Sequence, residues 1–129
     1  VEFRTATVTH MSEYREMDIA LDTTPYVGGA TTCEALYMGV PVITLRGGRH
    51  GARFGVSILE NVGYAEWIAQ TEDQYIEKAV ELAGDTDLLG RLHGGELRER
   101  MEASPLMNAR LYMEDLETTY KKIWSSQAQ

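Results

Sequence analysis

The sequence predicts an α/β fold: a parallel sheet with flanking helices, followed by a helical C-terminal segment. Three observations carry that expectation. Apolar, β-branched stretches over 18–21 and 40–45 read as buried strands. A glycine-bearing loop and a helical pattern follow each of them, the order of βαβ units with right-handed crossovers. Beyond residue 70 the pattern becomes helical throughout.

The elements follow in order. Residues 1–4 fit a short strand, and 12–17 a short helix after the Thr9-His10 loop. The strand over 18–21 runs into a loop over 23–30 that holds Pro25 and Gly28-Gly29. A helix over 31–38 is stopped by Gly39 and Pro41. The strand over 40–45 leads to a glycine-rich, basic loop over 46–52. Phe54, Ile58 and Leu59 give 53–61 a helical spacing that Gly63 ends, and 66–69 fits a short strand. Thr71 and Gln74 have the spacing of a capping box. The helix it opens carries Tyr75, Ala79 and Leu82 on one stripe, with Ile76 and Val80 beside them. A single helix is expected over 85–103, carrying Leu88, Leu89, Leu92 and Leu97. Gly90, Gly94 and Gly95 weaken it by about 1 kcal/mol each relative to Ala. Ser104-Pro105 breaks the chain. Asn108 opens a last helix with Tyr112, Leu116, Tyr120, Ile123 and Trp124 on one face, and 125–129 should fray. Ligands on such Rossmann-like sheets bind beyond the carboxyl ends of the strands, so the two glycine loops are where a site is expected.

The 129 residues suffice for one domain, 1–129, with a βα core over 1–70 and a helical tail over 71–125. Twenty acidic and 12 basic residues give a formal net charge of −8. That balance argues against a general nucleic-acid or anionic-membrane surface, which needs clustered Lys and Arg. It leaves room for a small anion at a helix N-terminus. Cys33 is the sole cysteine, so no internal disulfide is possible and a reducing, cytoplasmic setting fits. No signal peptide or long apolar span is visible. Val1 falls inside an apparent strand, so the chain is expected to be a piece of a larger protein.

The candidate site is the run from Gly28 to Glu34. Glycines let the backbone approach a phosphate closely. Thr31 and Thr32 add hydroxyl donors, and a helix N-terminus favours an anion. Glu34 then stands where a carboxylate can accept from ribose hydroxyls. A plainer alternative uses the same residues, because Thr31-x-x-Glu34 is itself a capping box that needs no ligand. His10, between a strand and a helix, can stack on a base or simply lie exposed. Arg46, Arg49, His50 and Arg53 around Gly47-Gly48 form a basic cluster that can meet a diphosphate or sugar. Arg53 can instead make a structural ion pair. His93 reads as a solvated helix residue and Cys33 as packed. No metal-ligand spacing is present.

The run LDTTPYVGGATTCEALYMGVPVIT resembles the carboxyl-terminal lobe of the O-linked N-acetylglucosamine transferase family, which includes the SPINDLY protein-fucosyltransferases; bacterial members look most similar. The resemblance continues through SILENVGYAEWIAQTEDQYIEKAVELAGD and ERMEASPLMN to the final helix. It implies part of a two-lobed GT-B fold, usually behind an array of tetratricopeptide repeats. It implies an inverting, metal-independent transfer of a sugar from a nucleotide diphosphate to Ser or Thr of proteins. By motif matching, His10 resembles the histidine that packs on the base. Gly28, Gly29, Ala30 and Thr31, with Thr32, resemble the loop and helix start that hold the diphosphate, and Glu34 the acid that takes the ribose hydroxyls. Arg49 joins the expected nucleotide-sugar contacts.

The pattern also departs from the family. Animal members carry Gly-His-Thr-Thr where this chain has Gly28-Gly29-Ala30-Thr31, and Asp where it has Glu34, as in the SPINDLY branch. A basic residue three before the histidine is here Thr7. The donor therefore stays open between UDP-GlcNAc and GDP-fucose. The amino-terminal lobe, its catalytic residues and a diphosphate-binding lysine are not in this sequence, so the chain alone is expected to be inactive. No catalytic residue and no cofactor is assigned within it, and the protein acceptor is expected on the missing parts. The rival readings are a non-catalytic nucleotide-sugar-binding or interaction module, and another GT-B enzyme such as an epimerase.

Overall fold

The computed structural model describes residues 3, 5 and 8–127. The strand expected over 1–4 falls, Phe3 apart, on residues outside those described, as does Thr7. The first described element is a short helix, α1 (His10–Glu13), continued by a 3-10 turn, Tyr14–Glu16. It starts two residues before the helix read from the sequence, because Thr9 accepts from both the Ser12 amide and the Ser12 hydroxyl and closes the turn early.

Three parallel strands form the sheet in the order β1 (Ala20–Leu21), β2 (Val42–Leu45), β3 (Ile68–Ala69). Ala20 pairs with Val42 and Leu21 with Ile43, then Thr44 with Ile68 and Leu45 with Ala69. Each crossover is helical: α2 (Ala30–Tyr37) joins β1 to β2, and α3 (Phe54–Val62) joins β2 to β3. The central strand is buried at Val42, Ile43 and Thr44, which explains its near-continuous apolar sequence.

Beyond β3, Thr71 accepts from the Gln74 amide and opens α4 (Glu72–Gly84) as the capping box predicts. The single helix expected over 85–103 is broken. Asp85 accepts from the Leu88 amide and starts α5 (Thr86–Arg91). A π turn, Leu92–Glu96, then carries Gly95 at φ 125°, a left-handed backbone that ends the regular helix, before α6 (Leu97–Ala103). Leu82, Leu92, Leu97 and Met101 pack into the same core as Leu36, Ile43, Leu59 and Trp67. The helices after residue 71 therefore form part of the wall against which the βα units fold. After the Pro105–Met107 turn, Asn108 accepts from the Leu111 amide and opens α7 (Ala109–Gln127). Its apolar stripe is exposed at Tyr112, Tyr120, Ile123 and Trp124, the last 78% accessible, and half-buried at Leu116.

Candidate nucleotide-sugar site

A cleft of about 380 Å³ opens beside the carboxyl end of β1, lined by His10, Tyr14, Asp22, Gly28, Thr31 and Thr32 among others. The end of β1 builds it. Asp22, the first residue past the strand, is buried, with each carboxylate oxygen bonded: Oδ1 accepts from the Gly28 amide at 2.7 Å and Oδ2 from the Thr44 hydroxyl at 2.7 Å. The Asp22 carbonyl accepts from the Tyr75 hydroxyl of α4 at 2.7 Å. Thr23 donates to the Tyr26 carbonyl at 2.8 Å. These bonds fold residues 23–28 back on themselves and deliver the chain to α2. At Gly28 a Cβ would stand 2.6 Å from the Thr31 hydroxyl and 2.7 Å from that of Thr32, so only glycine lets the two threonines close over the loop.

The capping box expected at Thr31-x-x-Glu34 does not form. The helix begins earlier, with Gly29 at the N-cap and no side-chain cap, and its first bond runs from the Cys33 amide to the Gly29 carbonyl. Thr31 therefore lies inside the first turn and Glu34 in the second, beyond reach of the N-cap amide. The amides of Ala30, Thr31 and Thr32 precede the first intrahelical bond and point out of the helix end. Ala30 and Thr31 are exposed there, while Thr32 is buried.

Glu34, with its side chain 32% accessible, turns instead toward α1. Its Oε1 lies 3.4 Å from His10 Nε2, and its Oε2 accepts from the Tyr14 hydroxyl at 3.2 Å. Burial, with the Glu34 charge second, pushes the Tyr14 phenol above its usual value, so the hydroxyl keeps its proton at neutral pH. The same two causes, burial first, raise the Cys33 thiol, which packs half-buried against the core as expected and stays protonated.

The structure thus gathers His10, Gly28, Thr31 and Thr32 on one cleft, joins Glu34 to it through His10 and Tyr14, and sets Gly29 and Ala30 at its helix end. Two assignments change in detail. The Gly28 amide is occupied by Asp22, so the candidate donors at this helix start are the amides of Ala30, Thr31 and Thr32. Arg49 lies outside the cleft, exposed in the next loop, where it precedes the 3-10 turn His50–Ala52. Arg53 makes no ion pair among the described residues; it donates to the carbonyls of Gly48 at 3.1 Å and Arg49 at 3.4 Å and holds that loop closed. Arg46 pairs with Glu60 at 2.8 Å. His93, read as solvated, is exposed but also meets the Asp18 carbonyl at 3.2 Å. Among the described residues no group of three His, Cys, Asp or Glu side chains could hold a metal ion, and no helix is long and apolar enough to cross a membrane.

Sequence reasoning passed over Tyr14 and Asp22. Tyr14 had a signal: it stands four residues after His10, one helical turn further on the same face. Asp22 had a fainter one, an acid at the end of an apolar strand before a glycine loop.

The profile of "Glycosyl transferase family 41" matches residues 5–116. The chain belongs to glycosyl transferase family 41. Among its relatives in that family, "Probable UDP-N-acetylglucosamine--peptide N-acetylglucosaminyltransferase SPINDLY" of Eustoma exaltatum subsp. russellianum is 50% identical over 115 residues, 89% of this chain and 12% of that protein. The protein of the same description from Arabidopsis thaliana is 44% identical over the same share of each chain. "UDP-N-acetylglucosamine--peptide N-acetylglucosaminyltransferase" of Caenorhabditis elegans is 28% identical over 115 residues, 10% of its length. In structure the chain is similar to the Thermobaculum terrenum O-GlcNAc transferase mutant K341M, with a TM-score of 0.83 and 34% identity over 93% of this chain and 23% of that one. Its parallel sheet with flanking helices is thus part of a GT-B carboxyl-terminal lobe, and it spans a small fraction of the family 41 proteins it matches.

Proposed function

We propose that this chain is the donor-nucleotide-binding part of a protein O-glycosyltransferase that moves a sugar, with inversion, from UDP-GlcNAc or GDP-fucose to Ser or Thr hydroxyls. Membership of family 41 and relatives named for a UDP-N-acetylglucosamine donor and a peptide acceptor support the reading. One observation carries it at the level of chemistry: Thr31 and Thr32 at the uncapped start of α2 line one open cleft with His10 and Tyr14, the two side chains that meet Glu34.

In this reading the diphosphate lies against the amides of Ala30, Thr31 and Thr32, with the Thr31 hydroxyl beside them. As the glycosidic bond breaks, negative charge grows on the leaving diphosphate. Amides already aimed at that position stabilise it without reorganising, and the helix dipole adds about 0.3–1 kcal/mol. Transfer then needs no metal ion. Arg49, on the neighbouring loop, supplies a cation to the sugar-diphosphate end. His10 packs on the base, and Glu34 accepts from the ribose hydroxyls. The acceptor protein, which brings the attacking hydroxyl, is held by parts of the enzyme outside this chain, which has a reducing, cytoplasmic setting and works with neither nucleic acid nor membrane.

A titration of the chain with UDP, GDP, UDP-GlcNAc and GDP-fucose, read by amide chemical shifts, tests this. The Ala30, Thr31 and Thr32 amides and the His10 ring should move together with at least one nucleotide family, and the sugar conjugate should extend the shifts toward Arg49. Signals that stay fixed with every nucleotide would remove the site.

A further inference from the structure

The donor-site reading leaves Tyr14 without a task. We infer that Tyr14 is a positioning residue of that site, holding the Glu34 carboxylate in the orientation that receives the ribose hydroxyls. The inference rests on the proposed function and deepens it.

The geometry is specific. Tyr14 sits in the 3-10 turn behind α1, lines the cleft, and packs its ring against the hydrophobic core. Its hydroxyl is 3.2 Å from Glu34 Oε2 and 3.4 Å from the Thr31 carbonyl. A phenol has one proton, and the carboxylate takes it, because a hydrogen bond to a charged acceptor is the stronger. The two partners differ in freedom. A glutamate on a helix surface has three rotatable bonds and loses much entropy when one rotamer is imposed. A tyrosine has two, and here the packed ring fixes both. Tyr14 therefore does the orienting and Glu34 is oriented.

The remaining valences suit a diol. Each carboxylate oxygen has two acceptor positions. Tyr14 uses one on Oε2, and His10 faces Oε1 at 3.4 Å. Further positions stay open for the two hydroxyls of a ribose. The same bond ties the turn that carries His10 to the helix that carries the diphosphate amides, so base, sugar and phosphate contacts share one frame. No cap at the start of α2 competes for the carboxylate, since Glu34 lies in the second turn, beyond reach of the Gly29 amide.

Tyr14→Phe keeps the ring and removes the hydroxyl. The measurement is the dissociation constant of UDP and GDP set against their 2′,3′-dideoxy forms on the same protein sample. The ribose-to-dideoxy preference should fall roughly fivefold to tenfold, the net worth of one ordinary hydrogen bond, while dideoxy affinity stays put. Because both ligands meet the same sample, a change in folded fraction cancels from the ratio. In a Glu34→Ala background, where no acceptor is left to position, the substitution should cost nothing further. A preference that Tyr14→Phe leaves intact, or losses from the two substitutions that add independently, would overturn the positioning role. If the unsubstituted chain binds neither UDP nor GDP, the donor site itself is wrong, and the role falls with it.

Discussion

The starts of α2 and α4 carry the same sequence pattern and come to opposite ends. Thr31-x-x-Glu34 and Thr71-x-x-Gln74 both have capping-box spacing. At α4 the start is capped: Thr71 accepts from the Gln74 amide at 3.2 Å, and the Gln74 side chain reaches back one residue past the N-cap to accept from the Gln70 amide at 2.9 Å. At α2 it stays open, with Gly29 at the N-cap, no side-chain cap, and Glu34 turned away to His10 and Tyr14. A helix end that satisfies its own amides has nothing left for a ligand. One whose amides face a cleft with no internal acceptor keeps its dipole and donors available. The difference lies in how the chain arrives. Asp22 takes the Gly28 amide and shapes the turn, so α2 starts two residues before Thr31 can act as a cap.

That comparison breaks most readily at Asp22. Asp22→Ala leaves the half-buried Gly28 amide and the buried Thr44 hydroxyl without their acceptor. It should lower unfolding free energy by about 3 kcal/mol in urea titration. An unchanged midpoint would mean that the turn into α2 does not depend on this carboxylate.

Glu34→Ala comes next. If α2 is open, its acid serves the ligand and not the helix, so nucleotide affinity should drop about tenfold, roughly 1.4 kcal/mol. Stability should move by less than about 1 kcal/mol, as for a partly exposed pair. The reverse outcome, equal affinity with a clear loss of Tm, would return Glu34 to a structural role. Thr71→Ala gives the smallest effect and the mirror image. It should cost about 1 kcal/mol of stability and leave UDP and GDP affinities untouched, and any loss of binding would show that the two helix starts are coupled.

Much of this was legible from spacing. The strands, the two glycine loops and the caps at Thr71 and Asn108 depend on neighbours within a turn or a strand, and local pattern reports local partners. The 85–103 stretch shows where that reasoning thins. Its leucines continue at helical spacing, so periodicity joins what Gly95 and the cap at Asp85 divide. The capping box at Thr31 failed for a related reason, since the pattern is necessary for a cap and the entry angle of the chain decides whether it is used. The open apolar stripe of α7 reads in the sequence only as one apolar face, because periodicity reports amphipathicity and not what covers it.

From sequence alone came the alternation of strand and helix, the place of the loops, and the residue types able to meet a phosphate, a pentose and a base. Tertiary structure decided which of them face one another. Tyr14 and Glu34 are 20 residues apart, and Asp22 and Thr44 are 22 apart. Such pairs form only when β1, α2 and β2 have closed into one unit. A carboxylate has no partner written into its spacing; burial and the geometry of the turn around it choose one.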